Sequence, residues 1–264
     1  MSGGAGWQRR LAGLSAEKRE YLGRLLRGTP AVAGRVPIER RARPAGPLPV
    51  SYGQQRLWFL DRLEPGAPVY TTVTLLRLDE PVARQALEAS LTAIVERHEV
   101  LRTTFVDVGG EPQQVIHPVT ALSVADVDLR VEPAESRRAA ATAVARAEAG
   151  RGFDLETGPL LRATLIRLDE EAAVLVLAVH HIATDGWSMG VLSRELRTLY
   201  GAAVAGRPAE LPALPIQYVD YARWQREWLQ GDVLGRQVAY WRERLAGIEP
   251  LVLPTDRPRP AAGS

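Results

Sequence analysis

Two adjacent histidines and a nearby acid carry the clearest chemical signal in the sequence. His180 and His181 follow six consecutive apolar residues, 174–179, and Asp185 and Gly186 come shortly afterwards. A run of mostly branched apolar residues is typical of a strand buried on both faces, so the histidines stand at a strand end. Because successive strand side chains alternate, we expect one histidine to face a cavity and the other to face the core. An imidazole placed there can handle a proton or stabilise charge in acyl transfer.

Two other interpretations of the histidine pair stay open at this point. The pair could be ordinary packing at a strand end. A metal site is the second alternative, because His180, His181 and Asp185 supply three candidate ligands. It is disfavoured because adjacent strand side chains diverge and because the chain has no cysteine and only two further histidines. The lack of cysteine also excludes disulfides and thiol nucleophiles, so a covalent acyl intermediate would need another residue or a partner's thiol.

Composition favours a globular protein with ample core. The chain has 264 residues, of which 46% are hydrophobic and 24% charged. No apolar run reaches membrane-spanning length and the N-terminus lacks an apolar signal core, so we expect no membrane contact and a cytoplasmic location. The net charge is only +2, and the arginine-rich runs at 40–43 and 257–259 are typical of solvated linkers. No interleaved basic and aromatic residues accompany them, so nucleic-acid binding is not expected.

Composition also divides the chain into three segments. Residues 1–47 hold a short amphipathic helix, 14–27, and a linker rich in Pro and Arg, which together form a candidate docking segment. Residues 48–253 carry the periodic elements of a folded lobe. Residues 254–264 again have a linker composition.

Strand and helix patterns alternate along the folded segment. Strands are predicted at 70–78, 101–106, 113–116, 160–168 and 174–179. Helices are predicted at 51–60, 82–97, 134–149, from 188 onward, and in two segments near 221–229 and 238–245. The aromatic and apolar residues of the last two helices are predicted to be core: Tyr221, Trp224, Trp228, Val238, Trp241 and Leu245. With hairpins between several strands, the fold class is α/β with a mixed sheet flanked by helices.

Four segments in this order resemble one family. They are Ser51 to Leu60, Arg97-His98-Glu99-Val100-Leu101-Arg102-Thr103-Thr104-Phe105, His180 to Ser188, and Tyr218 to Gln225. Together they look like the first four core motifs of nonribosomal peptide synthetase condensation domains. The segment from Phe153 to Arg162 is also similar to that family.

The resemblance implies a chloramphenicol-acetyltransferase-like fold of two lobes with the active site in a tunnel between them. Donor and acceptor peptidyl carrier domains would present a thioester and an amine on phosphopantetheine arms, with no cofactor bound directly. The reaction implied is amide-bond formation by attack of the acceptor amine on the donor thioester. The motif gives the central catalytic role to His181, beside His180 and Gly186, so we expect His181 to face the open cleft and His180 to pack inward. It also implies that Asp185 is structural and forms a buried ion pair with Arg56.

The family's later motifs do not appear, so the chain resembles the N-terminal lobe alone. We therefore expect a missing C-terminal lobe to be a partner, and the isolated fragment to be inactive. Whether His181 acts as a full base or only positions the amine stays open at this stage. The alternative function is a noncatalytic carrier-binding or docking fragment that keeps the His-His-x-x-x-Asp-Gly motif.

Overall fold

The computed structural model describes residues 36–44, 46–249, 251, 254, 256 and 257. The helix predicted over 14–27 lies outside the described residues. The chain from Glu39 onward forms one compact unit, and the fold below is the fold of that unit. Within the described ranges, no helix is both long and apolar enough to cross a membrane.

The unit alternates strands and helices, as the periodicity predicts. The helices are α1 (Tyr52–Leu63), α2 (Arg84–Arg97), α3 (Ala134–Ala149), α4 (Gly186–Val204), α5 (Tyr218–Trp228) and α6 (Gly231–Leu245). The strands are β1 (Leu48–Pro49), β2 (Thr71–Leu78), β3 (Thr103–Val108), β4 (Glu111–Ile116), β5 (Val124–Asp128), β6 (Leu161–Arg167) and β7 (Ala173–His180). Short 3₁₀ turns precede β2 and β3, at Pro68–Tyr70 and Glu99–Arg102.

The larger sheet places β7 at its centre. Its strand order is β2-β7-β6-β5, with β7 antiparallel to both neighbours and β5 parallel to β6. The mixed sheet of the predicted α/β class is therefore confirmed. The sequence did not predict β5, because its outer positions are exposed acids and the strand lies at the sheet edge.

Both faces of β7 are covered, which explains its unbroken apolar sequence. Leu175, Leu177 and Val179 are fully buried in the main core, which α2 and α4 complete. Val176, on the opposite face, packs in a second cluster to which α3 contributes. Burial of apolar side chains on both faces of a central strand fixes its register, because a slip of one residue would exchange the two faces.

A smaller sheet of order β1-β4-β3 lies beside the histidine end of β7. Its hairpin turns at Gly109 and Gly110, whose φ angles of 66° and 89° favour glycine. Phe105 of β3 packs in one apolar cluster with Leu160 and Ile182. This cluster connects the hairpin to the residues that directly follow the two histidines.

The arginine-rich run at 40–43 is not a solvated linker. Arg43 donates to both carboxylate oxygens of Asp220, at 2.7 and 3.0 Å, and to Glu99 at 2.9 Å. Arg41 donates a hydrogen bond to Glu227, which lies on α5 together with Asp220. The linker interpretation was wrong for this run because buried Asp220 needs a cation, and the sequence gives no sign of a partner 177 residues away.

Helix α6 is not part of the core, contrary to the prediction from its apolar stripe. Val238, Trp241 and Leu245 are 44%, 55% and 57% exposed. No residue of α6 is buried, because no other described element covers this face. The α5 aromatics Tyr221, Trp224 and Trp228 are only partly buried, and they stack on one another along the helix at 5.9 and 5.1 Å between ring centroids.

Candidate active site

The end of β7 is held by backbone hydrogen bonds on both sides. The N–H of His180 donates to the carbonyl of Leu160 at 3.1 Å, and the N–H of His181 donates to the carbonyl of Tyr70 at 2.8 Å. The two histidines therefore extend the strand pairing with β6 and with the turn before β2. Their positions are set by the sheet and not by a free loop.

His180 is buried, as the alternation of strand side chains predicts. Its exposure is 1%, and its ring makes edge contacts with Tyr70 and Phe153 at centroid distances of 6.3 and 5.9 Å. Burial, together with the neighbouring His181, lowers the pKa of His180 to about 4. The ring is therefore neutral at pH 7. Its Nδ1 accepts the N–H of Ile182 at 3.0 Å, which places its own proton on Nε2.

His181 is exposed, in contrast to His180, so the two side chains differ in burial as expected. That His181 faces a cleft stays a prediction. Its Nδ1 lies 2.6 Å from the carbonyl oxygen of Thr184. A carbonyl only accepts, so Nδ1 must carry a proton and donate it. In the neutral imidazole, Nε2 then has a free lone pair. The Thr184 carbonyl thus holds the ring through Nδ1, and Nε2 is the nitrogen that can accept a proton.

Asp185 has a structural role, as expected, but with a different partner. It caps the N-terminus of α4, accepting the N–H of Ser188 at 2.7 Å and its hydroxyl at 2.6 Å. The Ser188 hydroxyl, and then its N–H, lower the pKa of Asp185. The capped helix begins at Gly186, two residues before the predicted start.

The predicted buried ion pair between Asp185 and Arg56 is not formed in the described part of the chain. Both residues are exposed, and the carboxylate of Asp185 is directed to the first turn of α4. One carboxylate that the structure does bury completely, that of Asp220, pairs with Arg43. An arginine within an apolar stretch of sequence was therefore a misleading signal, because Arg56 occupies the solvent side of its helix.

Gly186 opens α4, directly after the capping residue Asp185. A Cβ built at this glycine would meet nothing within 4 Å, and the residue is exposed. The contacts of the described residues therefore do not require glycine here.

Residues 186–190 also match the Gly-x-Ser-x-Gly pattern of a hydrolase nucleophile elbow. In that motif the serine stands on a sharp turn directly after a strand. Here a loop separates Ser188 from β7, and the serine hydroxyl donates to Asp185 and not to an imidazole. The geometry therefore gives Ser188 a capping role. In the described ranges no group of three or more His, Cys, Asp or Glu side chains could hold a metal ion.

The sequence missed the residues that support the histidine pair. Tyr70, Phe153 and Ile182 contact His180, and the Thr184 carbonyl orients His181. The sequence does not indicate which backbone carbonyl will orient a side chain. Phe153 could have been found from the sequence, because it lies in the segment that also resembles the family.

We expect the unfolding free energy to report the neutral state of His180. Between pH 6.5 and about 4 the unfolded chain binds a proton that the folded chain does not, so stability falls as pH falls, by up to roughly 3 kcal/mol. His180→Asn should lose this pH dependence while its side-chain oxygen still accepts the Ile182 N–H. His180→Leu should also lose the hydrogen bond, at a cost of about 1 to 3 kcal/mol. Urea unfolding at pH 7 and pH 4.5 measures both effects, and an unchanged pH slope in both variants would contradict the assignment.

Comparison with known proteins identifies the fold and the family. A family model for the condensation domain matches residues 45–264. The chain is 51% identical over 227 residues to one of the linear gramicidin synthase proteins of Brevibacillus parabrevis, an alignment that covers 86% of this chain and 3% of the relative. It is 46% identical over 258 residues to phosphinothricin tripeptide synthetase PhsC of Streptomyces viridochromogenes, which covers 97% of this chain and 24% of PhsC.

Solved structures agree with the sequence relatives. The X-domain from teicoplanin biosynthesis, solved in complex with OxyB, superposes with a TM-score of 0.76 at 35% identity, over 86% of this chain and 50% of that one. The starter condensation domain of rhizomide synthetase RzmA gives a TM-score of 0.69 at 21% identity, over 78% and 49% of the two chains, and supports the fold alone. The chain thus spans about half of these solved structures. It belongs to the condensation-domain family of nonribosomal peptide synthetases.

Proposed function

We propose that this chain is the N-terminal catalytic lobe of a condensation domain that joins a carrier-bound acceptor amine to a carrier-bound donor thioester. The observation that carries the proposal is the exposed His181 ring. Its Nδ1 is held by the Thr184 carbonyl, which leaves Nε2 as the acceptor nitrogen of the neutral ring. Such an imidazole, fixed at a strand end, suits proton transfer to and from an acyl acceptor.

The chemistry assigned to His181 balances as follows. The acceptor nitrogen attacks the thioester carbon, and Nε2 takes the proton that the nitrogen loses. The tetrahedral intermediate collapses as its C–S bond breaks, and the proton then returns from Nε2 to the departing thiolate. The products are an amide and a free phosphopantetheine thiol. A ring held on its Nδ1 side alone also keeps the amine in place, so base and positioning roles are combined in one group.

The reaction requires partners that deliver both substrates. We assign these roles to donor and acceptor carrier domains, whose phosphopantetheine arms act as substrate carriers and not as cofactors of this chain. The exposed side chain of His181 is open to an arm that approaches from outside the chain. The cytoplasm, where loaded carriers are made, is the proposed location.

A second lobe is the further partner in this proposal. Helix α6 presents Val238, Trp241 and Leu245 on one exposed apolar face, with Leu234 adjoining them. Together with the half-length match to the solved structures, this face supports an interaction with a C-terminal lobe. Closure by that lobe would exclude water from His181 and give the arms a second wall.

The proposal is tested by comparing the chain alone with the chain joined to the C-terminal half of a relative such as PhsC. With loaded carriers, the joined protein should form amide, and the chain alone should be slower by several orders of magnitude because it lacks the second wall of the tunnel. Equal rates for the two proteins would overturn the role of the second lobe.

The chain alone should also self-associate through α6 in sedimentation, and Trp241→Glu should return it to a monomer.

A further inference from the structure

Side chains outside the catalytic motif pack around the buried His180 ring. The buried ring of Phe153 meets the His180 ring edge-on at 5.9 Å, with an interplanar angle of 76°. On another side of the same phenyl ring, the guanidinium carbon of Arg162 lies 3.9 Å from the ring centroid. Tyr70 covers His180 from the turn before β2. The catalytic scheme above uses neither Phe153 nor Arg162.

Arg162 is fixed firmly enough to act as a support. Its Nη1 donates to the carbonyl of Gly152 at 2.9 Å, and its Nη2 donates to the carbonyl of Arg151 at 2.8 Å. Its Nε donates to a carboxylate oxygen of Glu148 at 3.2 Å, and its side chain is only 14% exposed. These bonds tie β6 to the end of α3 and to the loop that carries Phe153. A guanidinium over a phenyl face adds a cation–π attraction, which is stronger where water is excluded.

The rings of Phe153 and Tyr70 determine the protonation state of the His180 ring. Because they keep water away, the imidazole is neutral and has one acceptor nitrogen, Nδ1. That nitrogen accepts the N–H of Ile182, the residue that leads from His181 into the loop. A protonated His180 would have no acceptor, and the loop would lose this bond.

We infer that Phe153 and Arg162 are positioning residues of the active site: they hold His180 as the neutral tautomer that anchors Ile182, and so fix the direction of His181. The inference rests on the proposed function for its kinetic consequence, but its structural consequence can be measured without any activity. The charged and titratable groups around His180 are His181 on the same strand, Tyr70 before β2 and Arg162 on β6.

Arg162→Met and Phe153→Leu test the inference, with Arg137→Met as the matched control. Arg137 also donates to three backbone carbonyls, those of Glu132, Leu168 and Arg130, but it lies on α3 away from the histidines. All three variants should lose stability to a similar degree. Only Arg162→Met and Phe153→Leu should change the state of His180.

The first readout is an NMR titration of the His180 ring in the full chain. In the wild type the ring should stay neutral down to a pKa of about 4. In Arg162→Met and Phe153→Leu the pKa should rise toward its ordinary value, and the Ile182 amide should exchange faster. An unchanged His180 titration in both variants, or an equal change in Arg137→Met, would overturn the inference.

The second readout is the rate of amide formation with loaded carriers, measured with the wild type and each variant joined to a second lobe. Arg162→Met and Phe153→Leu should lower kcat roughly tenfold to a hundredfold with little change in KM, because a misdirected imidazole affects the transition state more than carrier binding. A rise in KM alone would contradict a positioning role. If the wild type formed no amide, the proposed function would fail, and the NMR titration would still decide whether these two residues hold His180.

Discussion

Replacing His181 with alanine should slow amide formation by about 10²- to 10⁴-fold, the usual contribution of a positioned acid–base group. His181 is the exposed histidine of the pair, since His180 is buried and neutral. The substitution therefore removes the Nε2 atom that would accept the proton. Stability should change by less than about 0.5 kcal/mol, because the His181 ring is exposed. Single-turnover rates with loaded carriers, with thermal unfolding alongside, measure the two quantities.

Arg56→Ala is the control for this experiment. Arg56 is exposed and forms no ion pair with Asp185 in the structure, so both rate and stability should match the wild type. A large loss of stability in Arg56→Ala would mean that Arg56 does form the buried ion pair with Asp185 that the family resemblance implies. Near-parental rates in His181→Ala would remove His181 from the chemistry.

The largest effect on stability should come from Asp220. Its carboxylate is completely buried and accepts hydrogen bonds from Arg43 and from the backbone N–H groups of Gln217 and Arg41, at 2.8 and 3.1 Å. Burial alone would raise the pKa of Asp220, but Arg43 and these N–H groups bring it below its ordinary value. Asp220→Ala would leave the two backbone donors without a partner and would leave the largely buried Arg43 guanidinium paired with Glu99 alone.

We therefore expect Asp220→Ala to lower the unfolding free energy by about 3 to 5 kcal/mol. Domains of this kind have only about 5 to 15 kcal/mol in total, so the variant should be poorly soluble or unfold on mild heating. The stabilisation by Asp220 is present above its ordinary pKa of 3.8 and is lost as the pH falls through its lower folded pKa. Urea unfolding measures the loss at pH 7.

The matched control is Asp79→Ala. Asp79 pairs with Arg77 at the protein surface, where both side chains are about 70% exposed. Such a pair contributes at most about 1 kcal/mol. Equal losses in Asp220→Ala and Asp79→Ala would mean that the buried pair is not the anchor of α5 that the structure indicates.

Much of the fold could be predicted from the sequence because periodicity records burial. The six apolar residues before His180 require a strand whose two faces are both covered by other elements, and β7 is such a strand. Strand geometry then predicted that the two histidines point to opposite faces, and the family resemblance indicated that His181 is the outward one. Strand β5 escaped prediction because it lies at an edge, where acids replace the apolar alternation.

The partners of charged and apolar groups were harder to predict, because they depend on distant residues. The family resemblance suggested Arg56 for Asp185, but Asp185 caps its own helix, and the buried carboxylate of Asp220 pairs with Arg43. Likewise, the stripe of Trp241 and Leu245 is apolar enough for a core, and no other described element covers it. An apolar periodicity predicts that a face will be covered, but not by which part of a protein.

The fate of the donor acyl group tests the central claim most directly. Wild type and His181→Ala, each joined to a second lobe, are mixed with a donor-loaded and an acceptor-loaded carrier, and all arms are analysed by mass spectrometry after one turnover. We predict that both proteins bind the carriers equally, and that only the wild type moves the acyl group onto the acceptor amine. If the carriers bind but the acyl group stays on the donor arm with both proteins, the chain is a noncatalytic carrier-binding fragment and the catalytic assignment of His181 is wrong.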